Sequence, residues 1–350
     1  MTSILFELHH IGDAVLSVPF VRGMKNQDLH VVCRQGSVPI FRKFLEAERI
    51  HSWEPWWEVG GREKIASFIA IFSILGRLRA LGARRAYCVW ADSRVHLLMR
   101  LSRCHETFGF SVNRQNFYAS ERPWRWRRMK LGQLLGLICP LTHPLQRTSY
   151  EQSHLDDWSQ LSAAVGTTND SRIPWFEVQP HPGASALRDL GKKLWLIHPG
   201  GRLPTKRWPL ARFQELLAKF LSDSSVILIE PPDSPGLSAV SEKHVSVSTQ
   251  DIDELLEWIQ SADEILCNDS LVSHLAAALG KPVWTIFGSG NPRWFAPFEN
   301  FHRVIATDVC SYRPCIDRCV YASPICLDSI TVAHVKSALL DAEIPIYKSS

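Results

Sequence analysis

Short apolar runs alternate with longer helical segments along this chain, and no other feature limits its possible folds as strongly. Residues 4–8, 29–33 and 86–91 are apolar runs of strand length, whereas residues 15–24 and 65–81 have the periodicity of helices. Strands that alternate with helices build a parallel sheet with helices on both faces. The sequence therefore predicts an α/β fold.

The pattern occurs twice, so the chain is predicted to form two domains. Its 350 residues are 45% apolar, enough for two cores of ordinary size. Residues 1–175 and 194–330 are expected to be doubly wound, Rossmann-like domains that face each other across a cleft. A proline-rich linker at 176–193 joins them, and a C-terminal helix and tail follow at 331–350. In such domains, ligands bind at the carboxyl ends of the strands.

Composition excludes several classes of protein. The net charge of +4 does not favour nucleic-acid binding, which needs a concentrated basic surface. The N-terminus lacks the basic region of a secretory signal. The longest predominantly apolar run, residues 65–75, is shorter than the about 20 residues that span a bilayer. Nine scattered cysteines are typical of reduced cytoplasmic thiols. A cytoplasmic protein is expected.

A polar turn that leads into an Ala-rich helix, at residues 268–282, is the strongest indication of a binding site. Gly280 and Pro282 are ordinary signals for the end of a helix. Backbone N–H groups at the helix start, together with the helix dipole, form an anion site suited to a diphosphate. Asp269 and Ser270 stand at this start. Capping of the helix by these two side chains is an equally good interpretation.

A glycine pair followed by two basic residues opens the second half, directly after its first predicted strand. Gly200 and Gly201 let backbone amides approach a ligand closely, and Lys206 and Arg207 supply positive charge. A P-loop would need Gly before the Lys and Ser or Thr after it, whereas Thr205 precedes Lys206 here. This excludes a P-loop ATPase. Neither half opens with the glycine fingerprint of nicotinamide or flavin binding.

Asp13 lies in the first predicted strand-to-helix connection, where residues 11–13 are expected to form a tight turn. A carboxylate at the rim of a cleft can take a proton from an attacking hydroxyl. An isolated Asp in this position more often caps a helix, so both interpretations stay open.

The three segments together resemble glycosyltransferase family 9, the heptosyltransferases of lipopolysaccharide core synthesis. That family carries Ile-Gly-Asp near its N-terminus, then His-Pro-Gly with Lys-x-Trp-Pro, then Asp-Ser-Gly-x-x-His-x-x-Ala-Ala. All three patterns occur here in that order. Phe287 with Gly288, residues 292–297 and the Cys-rich end at 326–330 also look like the family, so the resemblance covers nearly the whole chain.

This resemblance implies a GT-B enzyme without a cofactor, whose N-terminal domain binds the acceptor and whose C-terminal domain binds a nucleotide sugar. It implies an inverting, metal-independent transfer of a heptose or similar sugar from ADP-heptose to lipopolysaccharide core or a related surface glycan. Asp13 would be the general base, and Lys206 with the helix start would stabilise the leaving diphosphate. The implied donor-binding residues are Gly200, Gly201, Lys206, Asp269, Ser270, Leu271 and His274.

Two departures from the family pattern leave the donor open. Leu271 stands where the family usually has Gly, and its side chain narrows the donor pocket or changes how closely phosphate approaches. Glu230 and Asp233 are alternative partners for the ribose. One alternative is a related enzyme with another nucleotide sugar or a protein acceptor. A second is a non-catalytic GT-B protein that binds sugar nucleotides. A third is an epimerase, which no motif supports. Retention of Asp13 and Lys206 favours an enzyme.

The most basic stretch of the chain interleaves arginines with tryptophans, which suits contact with phosphate or a membrane interface. A lipid-linked anionic acceptor fits it, with peripheral contact at the inner membrane, and a solvated loop fits equally well. The proposed acceptor-binding residues are Arg122, Arg125, Arg127 and Arg128.

Two further features favour structural roles. The apolar helix at residues 65–81 suits a membrane surface, but a buried helix is the preferred interpretation. Four cysteines near the C-terminus lack the paired C-x-x-C spacing of a zinc site, so structural thiols are preferred over a metal site. These are Cys310, Cys315, Cys319 and Cys326.

Overall fold

The computed structural model describes residues 1–112, 141–149, 151–188, 192–231, 236–239, 241–249, 251–296, 302–315 and 319–340. Contacts divide the chain into two compact units, Met1–Arg172 and Ile173–Ser350. In the described residues, each unit has a six-stranded sheet in which every strand pair is parallel. The predicted pair of parallel α/β domains is confirmed.

The first sheet has the strand order β3-β2-β1-β4-β5-β6. The order changes direction between β1 and β4, and ligands of such sheets bind at the carboxyl ends of the strands beside this switch point. Its strands are β1 (Thr2–Glu7), β2 (Asp28–Cys33), β3 (Ile50–Ser52), β4 (Arg85–Cys88), β5 (Glu106–Phe110) and β6 (His143–Leu145).

Helices cover both faces of the first sheet, because alternate residues of β1 pack to opposite sides. Leu5 packs with Phe20 and Trp158, and its neighbours Ile4 and Phe6 pack on the other face. The helices of this unit are α1 (Ile11–Leu16), α2 (Val18–Gly23), α3 (Val38–Phe41), α4 (Gly61–Ala80), α5 (Ser93–Leu101) and α6 (His154–Val165).

Two helix predictions in the first unit need correction. Residues 11–13 form the first turn of α1 rather than a tight turn, because an Asp13 oxygen accepts the His10 N–H at 3.0 Å and satisfies the start of the helix. The helix at 61–80 is not a buried helix throughout. One of its faces lies in the core, and the other exposes large apolar side chains.

The second sheet has the order β12-β11-β10-β7-β8-β9, so the two units share one topology. Its strands are β7 (Leu194–His198), β8 (Ser225–Ile229), β9 (His244–Val247), β10 (Glu264–Asn268), β11 (Val283–Ile286) and β12 (His302–Ile305). Its helices are α7 (Leu210–Phe220), α8 (Ile252–Ser261), α9 (Leu271–Ala278), α10 (Pro292–Phe295), α11 (Ile325–Asp328) and α12 (Val332–Leu340).

The segment predicted as a linker belongs to the second unit. The Trp175 N–H, just before it, donates to the Ala278 carbonyl at 2.7 Å, Phe176 is buried, and a 3-10 helix spans Pro182–Leu187. Its role as a linker stays a prediction. In the part of the chain that the structure describes, no helix has the length and hydrophobicity needed to cross a membrane.

Candidate active site

The glycine-rich loop after β7 is held in place by a side chain from β10. Asn268 is fully buried, and its amide group donates to the carbonyls of Pro199 and Gly200 at 2.6 and 3.3 Å. Its side-chain oxygen accepts the Trp208 N–H at 3.1 Å, beyond the end of the loop. Asn268 therefore fixes both ends of the loop that carries Lys206. This role of Asn268 was not expected from the sequence.

Lys206 and Asp269 form an ion pair. The Lys206 Nζ lies 2.7 Å from the Asp269 Oδ2, and the two side chains are 21% and 3% exposed. Asp269 directly follows Asn268, so the residue that anchors the loop also places the carboxylate. Two residues that the sequence analysis assigned to donor binding thus lie in direct contact.

Neither of the expected side chains caps α9. Ser270 occupies the cap position, but its side chain accepts no hydrogen bond from the helix. Its Oγ is buried and has no hydrogen-bond partner in the described residues. Asp269 is engaged with Lys206 instead. The first N–H groups of α9 thus lack a side-chain cap, and with the helix dipole they form a positive end beside a lysine.

The other two predicted donor residues on α9 lie close behind its start. Leu271 is the first residue of the helix and is half-buried, and His274, one turn further on, is buried. Burial, together with the charge of His274, lowers the pKa of the neighbouring His302 to about 3.

Glycines allow close contacts around the ion pair. A Cβ on Gly290 would lie 2.9 Å from the Asp269 Oδ2, and one on Gly288 would lie 2.4 Å from the Thr205 carbonyl oxygen. The Ser289 N–H donates to that same oxygen at 3.1 Å. Side chains at either glycine would push the Lys206 turn or Asp269 out of place.

The predicted glycines of the first loop differ in their surroundings. A Cβ on Gly200 would lie 2.5 Å from the His198 ring, so only glycine fits there, whereas Gly201 has ordinary contacts. Burial lowers the pKa of His198 to about 4, so the ring is neutral near pH 7. Glu230 is half-buried just beyond β8, and Asp233, its alternative as ribose partner, lies outside the described residues.

In the first unit, Asp13 lies at the carboxyl edge of the sheet, within α1 and half-buried. Asp13 is not the N-cap of α1, which is His10, but from the third position of the helix its Oδ2 accepts the His10 N–H and so makes a capping contact. Both oxygens of a carboxylate accept hydrogen bonds, and a capping contact is compatible with proton transfer. The role as a base stays a prediction.

Buried titratable groups lie near Asp13. Burial raises the pKa of the Glu7 carboxyl well above its ordinary range, and the charge of Asp13 raises it further. His9 stacks on Trp90 with ring centroids 4.0 Å apart, and burial lowers the pKa of His9 to about 3. Glu7 was missed from the sequence, although an acid that closes an apolar strand was the available signal.

Arg34, directly after β2, places a positive charge beside His10. The Arg34 Nη1 lies 3.2 Å from the His10 Nδ1, and its Nε donates to Glu54 at 2.8 Å. Glu58 lies 3.5 Å from the same guanidinium. Arg34 is therefore held beside the residue that precedes α1.

The predicted acceptor-binding arginines and the C-terminal cysteines lie apart from these two clusters in the sequence. The basic acceptor segment with Arg122, Arg125, Arg127 and Arg128 lies outside the described residues. In the described ranges, no three His, Cys, Asp or Glu side chains are placed to hold a metal ion. The four C-terminal cysteines are present as free thiols.

Comparison with known proteins gives a consistent result. The model of glycosyltransferase family 9 (heptosyltransferase) matches residues 141–321, just over half of the chain. Lipopolysaccharide heptosyltransferase 3 of Escherichia coli is 24% identical over 312 residues, which cover 83% of this chain and 84% of that protein.

Solved structures show the same fold. The structure of E. coli ADP-heptose lps heptosyltransferase II has a TM-score of 0.64 at 16% identity and covers 98% of this chain and 100% of that one. E. coli heptosyltransferase WaaC with ADP-2-deoxy-2-fluoro heptose has a TM-score of 0.64 at 15% identity, covering 97% and 99%. The predicted GT-B fold class is confirmed, and the chain belongs to glycosyltransferase family 9, the heptosyltransferase family.

Proposed function

We propose that this glycosyltransferase moves a heptose, or a similar sugar, from ADP-heptose to lipopolysaccharide core or a related surface glycan, with inversion. The observation that carries the proposal is the Lys206–Asp269 pair beside the uncapped start of α9. The relatives support the donor, since one of the similar structures holds an ADP-heptose analogue.

In this proposal the second unit binds the donor. The diphosphate lies against the first N–H groups of α9, where Ser270 offers a hydroxyl without a partner in the described residues. Lys206 lies on the other side of the phosphates, and Gly200 and Gly201 let the loop backbone come close. Because Asp269 and Asn268 hold Lys206 and its loop in place, the positive groups are organised before the leaving charge develops.

The first unit, in the same proposal, binds the acceptor and removes its proton. Asp13 takes the proton of the attacking hydroxyl while the acceptor oxygen bonds to the anomeric carbon from the face opposite the diphosphate. The bond between that carbon and the phosphate oxygen breaks, and ADP leaves with the electron pair. Burial and the charge of Asp13 raise the pKa of Glu7, which disfavours a second negative charge next to Asp13.

We propose that the reaction needs no metal ion, because Lys206 and α9 supply positive potential where the diphosphate leaves. We place the enzyme in the cytoplasm, in peripheral contact with the inner membrane. The arginines at 122, 125, 127 and 128 are proposed to contact the anionic acceptor.

Leu271 favours a second candidate, a family member with a different nucleotide sugar. It is half-buried at the first position of α9, where the family usually has glycine. A side chain at this position limits how closely a phosphate can approach the helix start.

A thermal-shift panel of nucleotide sugars, measured with and without EDTA, tests both candidates. ADP-heptose is expected to raise the melting temperature, because a ligand that binds only the folded state stabilises it, and EDTA should not reduce the rise. A response to UDP- or GDP-sugars alone would favour the second candidate. A rise that EDTA removes and Mg²⁺ restores would contradict a metal-free donor site.

A further inference from the structure

Helix α4 exposes a stripe of large apolar side chains on the surface of the first unit. Its members recur at the i, i+3, i+4 and i+7 spacing of a single helix face. They are Ile65, Phe68, Ile69 and Phe72, which are 67, 50, 63 and 66% exposed. An adjacent face of α4 is buried in the core through Ile71, Ile74, Leu75 and Leu78. Such a continuous apolar face indicates an interaction surface.

Tryptophans border this α4 stripe. Phe68 lies 5.4 Å from Trp56 and 6.1 Å from Phe72 between ring centroids. Trp57 packs on Trp56 at 4.6 Å, and both tryptophans are half-buried. Tryptophan is enriched at the boundary between lipid and water, because its ring is apolar and its N–H is polar.

The charges of α4 complement an anionic surface. Basic side chains stand at both ends of the stripe, with Arg62 and Lys64 before it and Arg77 and Arg79 after it. Glu63 is the only acid of the helix, and it is two residues from Ile65, hence on nearly the opposite side of the axis. An apolar face with basic ends and interfacial tryptophans has the features of a helix that lies in the plane of a membrane surface.

We propose that the α4 stripe docks on an anionic phospholipid bilayer. The four apolar side chains enter the interface, and the basic residues at the two ends contact lipid phosphates. This inference rests on the proposed function, in which the acceptor is lipid-linked, and it assigns the membrane contact to α4.

Contacts within the first unit join this surface to the Asp13 loop. The Ser67 hydroxyl of α4 donates to the Glu54 carbonyl. The Glu54 carboxylate binds Arg34, and Arg34 contacts His10, whose N–H binds Asp13. These contacts connect the buried side of α4 to the loop that holds Asp13.

Vesicle co-sedimentation tests the proposal with the full chain and without donor or acceptor. The protein is expected to sediment with vesicles of phosphatidylglycerol and phosphatidylethanolamine, and much less with phosphatidylcholine. Phe68→Ser with Phe72→Ser should weaken this binding at least about tenfold, because two aromatic rings no longer enter the interface. Arg62→Gln with Lys64→Gln should reduce the preference for anionic lipid.

Tyr312→Ser with Val320→Ser is the matched control, since these side chains are 52% and 50% exposed on the second unit. It should leave vesicle binding unchanged. Equal binding by the Phe68/Phe72 variant and the wild type would overturn the proposal. So would loss, in this variant, of a concentration-dependent dimer that the wild type forms, because the stripe would then be covered by a second copy of the chain. Failure of sugar transfer to a deacylated, soluble acceptor would count against the proposed function and not against docking.

Discussion

At the carboxyl edge of the first sheet, burial shifts the pKa values of two groups near a carboxylate toward their neutral forms, whereas at the same edge of the second sheet a lysine lies beside a positive helix end. The strand orders are the same. Asp13 has Glu7 and His9 as neighbours, with the pKa of the acid raised and that of the histidine lowered. Lys206 has Asp269 and the start of α9.

This difference shows that topology and side chains determine separate properties. The shared strand order places both clusters next to a switch point, where any doubly wound sheet can bind a ligand. The side chains then suit one edge to proton transfer and the other to holding an anion. Substitutions that affect only one of these properties would test this division.

Asp13→Ala is expected to have the largest effect. Loss of a general base should lower the transfer rate roughly 10²- to 10⁴-fold. The dissociation constant of ADP should stay nearly the same, because Asp13 belongs to the first unit. ADP release measures the rate, and isothermal titration measures binding.

Asp13→Asn is the control for the helix cap, because its side-chain oxygen can still accept the His10 N–H. It should be as inactive as Asp13→Ala and melt closer to the wild type. If Asp13→Asn transferred sugar at the wild-type rate, the carboxylate would be only a cap.

Lys206→Ala should have the next largest effect, on donor binding. Loss of a charged contact to the diphosphate should raise the dissociation constant of ADP about tenfold to a hundredfold. The same change leaves Asp269 buried without its partner, which should cost about 2 kcal/mol of stability. Titration and thermal melts measure the two effects separately.

The double variant Lys206→Ala with Asp269→Asn separates binding from folding. The neutral amide removes the unpaired charge, so the melting temperature should recover while ADP binding stays weak. Recovery of both would mean that Lys206 acts only through Asp269. If Lys206→Ala alone changed neither ADP binding nor the melting temperature, Lys206 would be excluded from the donor site.

Much of the fold was predictable, because it depends on local patterns. Apolar runs such as residues 194–197 lie in observed strands, and Gly280 ends α9 with a φ of +74°, a conformation that glycine adopts without strain. The exposed face of α4 was only the less favoured interpretation, since a helix with apolar residues on two faces has the same composition as a buried one. Only tertiary packing decides which of these faces the core covers.

The candidate site was predictable where a motif names it and not where burial determines it. Motifs name Lys206, Asp269 and Ser270 as donor-binding residues, a role that stays a prediction, but the ion pair and the missing cap depend on how two distant loops meet. The hydrogen bond that Asn268 donates to the Pro199 carbonyl, about seventy positions earlier, cannot be inferred from spacing. Nor can the pKa shifts of Glu7 and His9, because desolvation depends on the packed surroundings.

The smallest expected effect concerns the neutral histidine at the first edge. Because the pKa of His9 falls from 6.5 to about 3 on folding, the unfolded chain binds a proton that the native protein does not. Its contribution to stability is therefore fully present above pH 6.5. It is lost as the pH falls toward 3, by up to about 1.4 kcal/mol for each pH unit.

His9→Phe keeps a ring against Trp90 and cannot take up a proton, so its melting temperature should decline less steeply between pH 7 and pH 5 than that of the wild type. His105→Gln, at an exposed position, should decline as the wild type does. If the melting temperatures of His9→Phe and the wild type declined in parallel with pH, the native protein would accept a charged His9. The contrast between the two sheet edges would then not hold for the first edge.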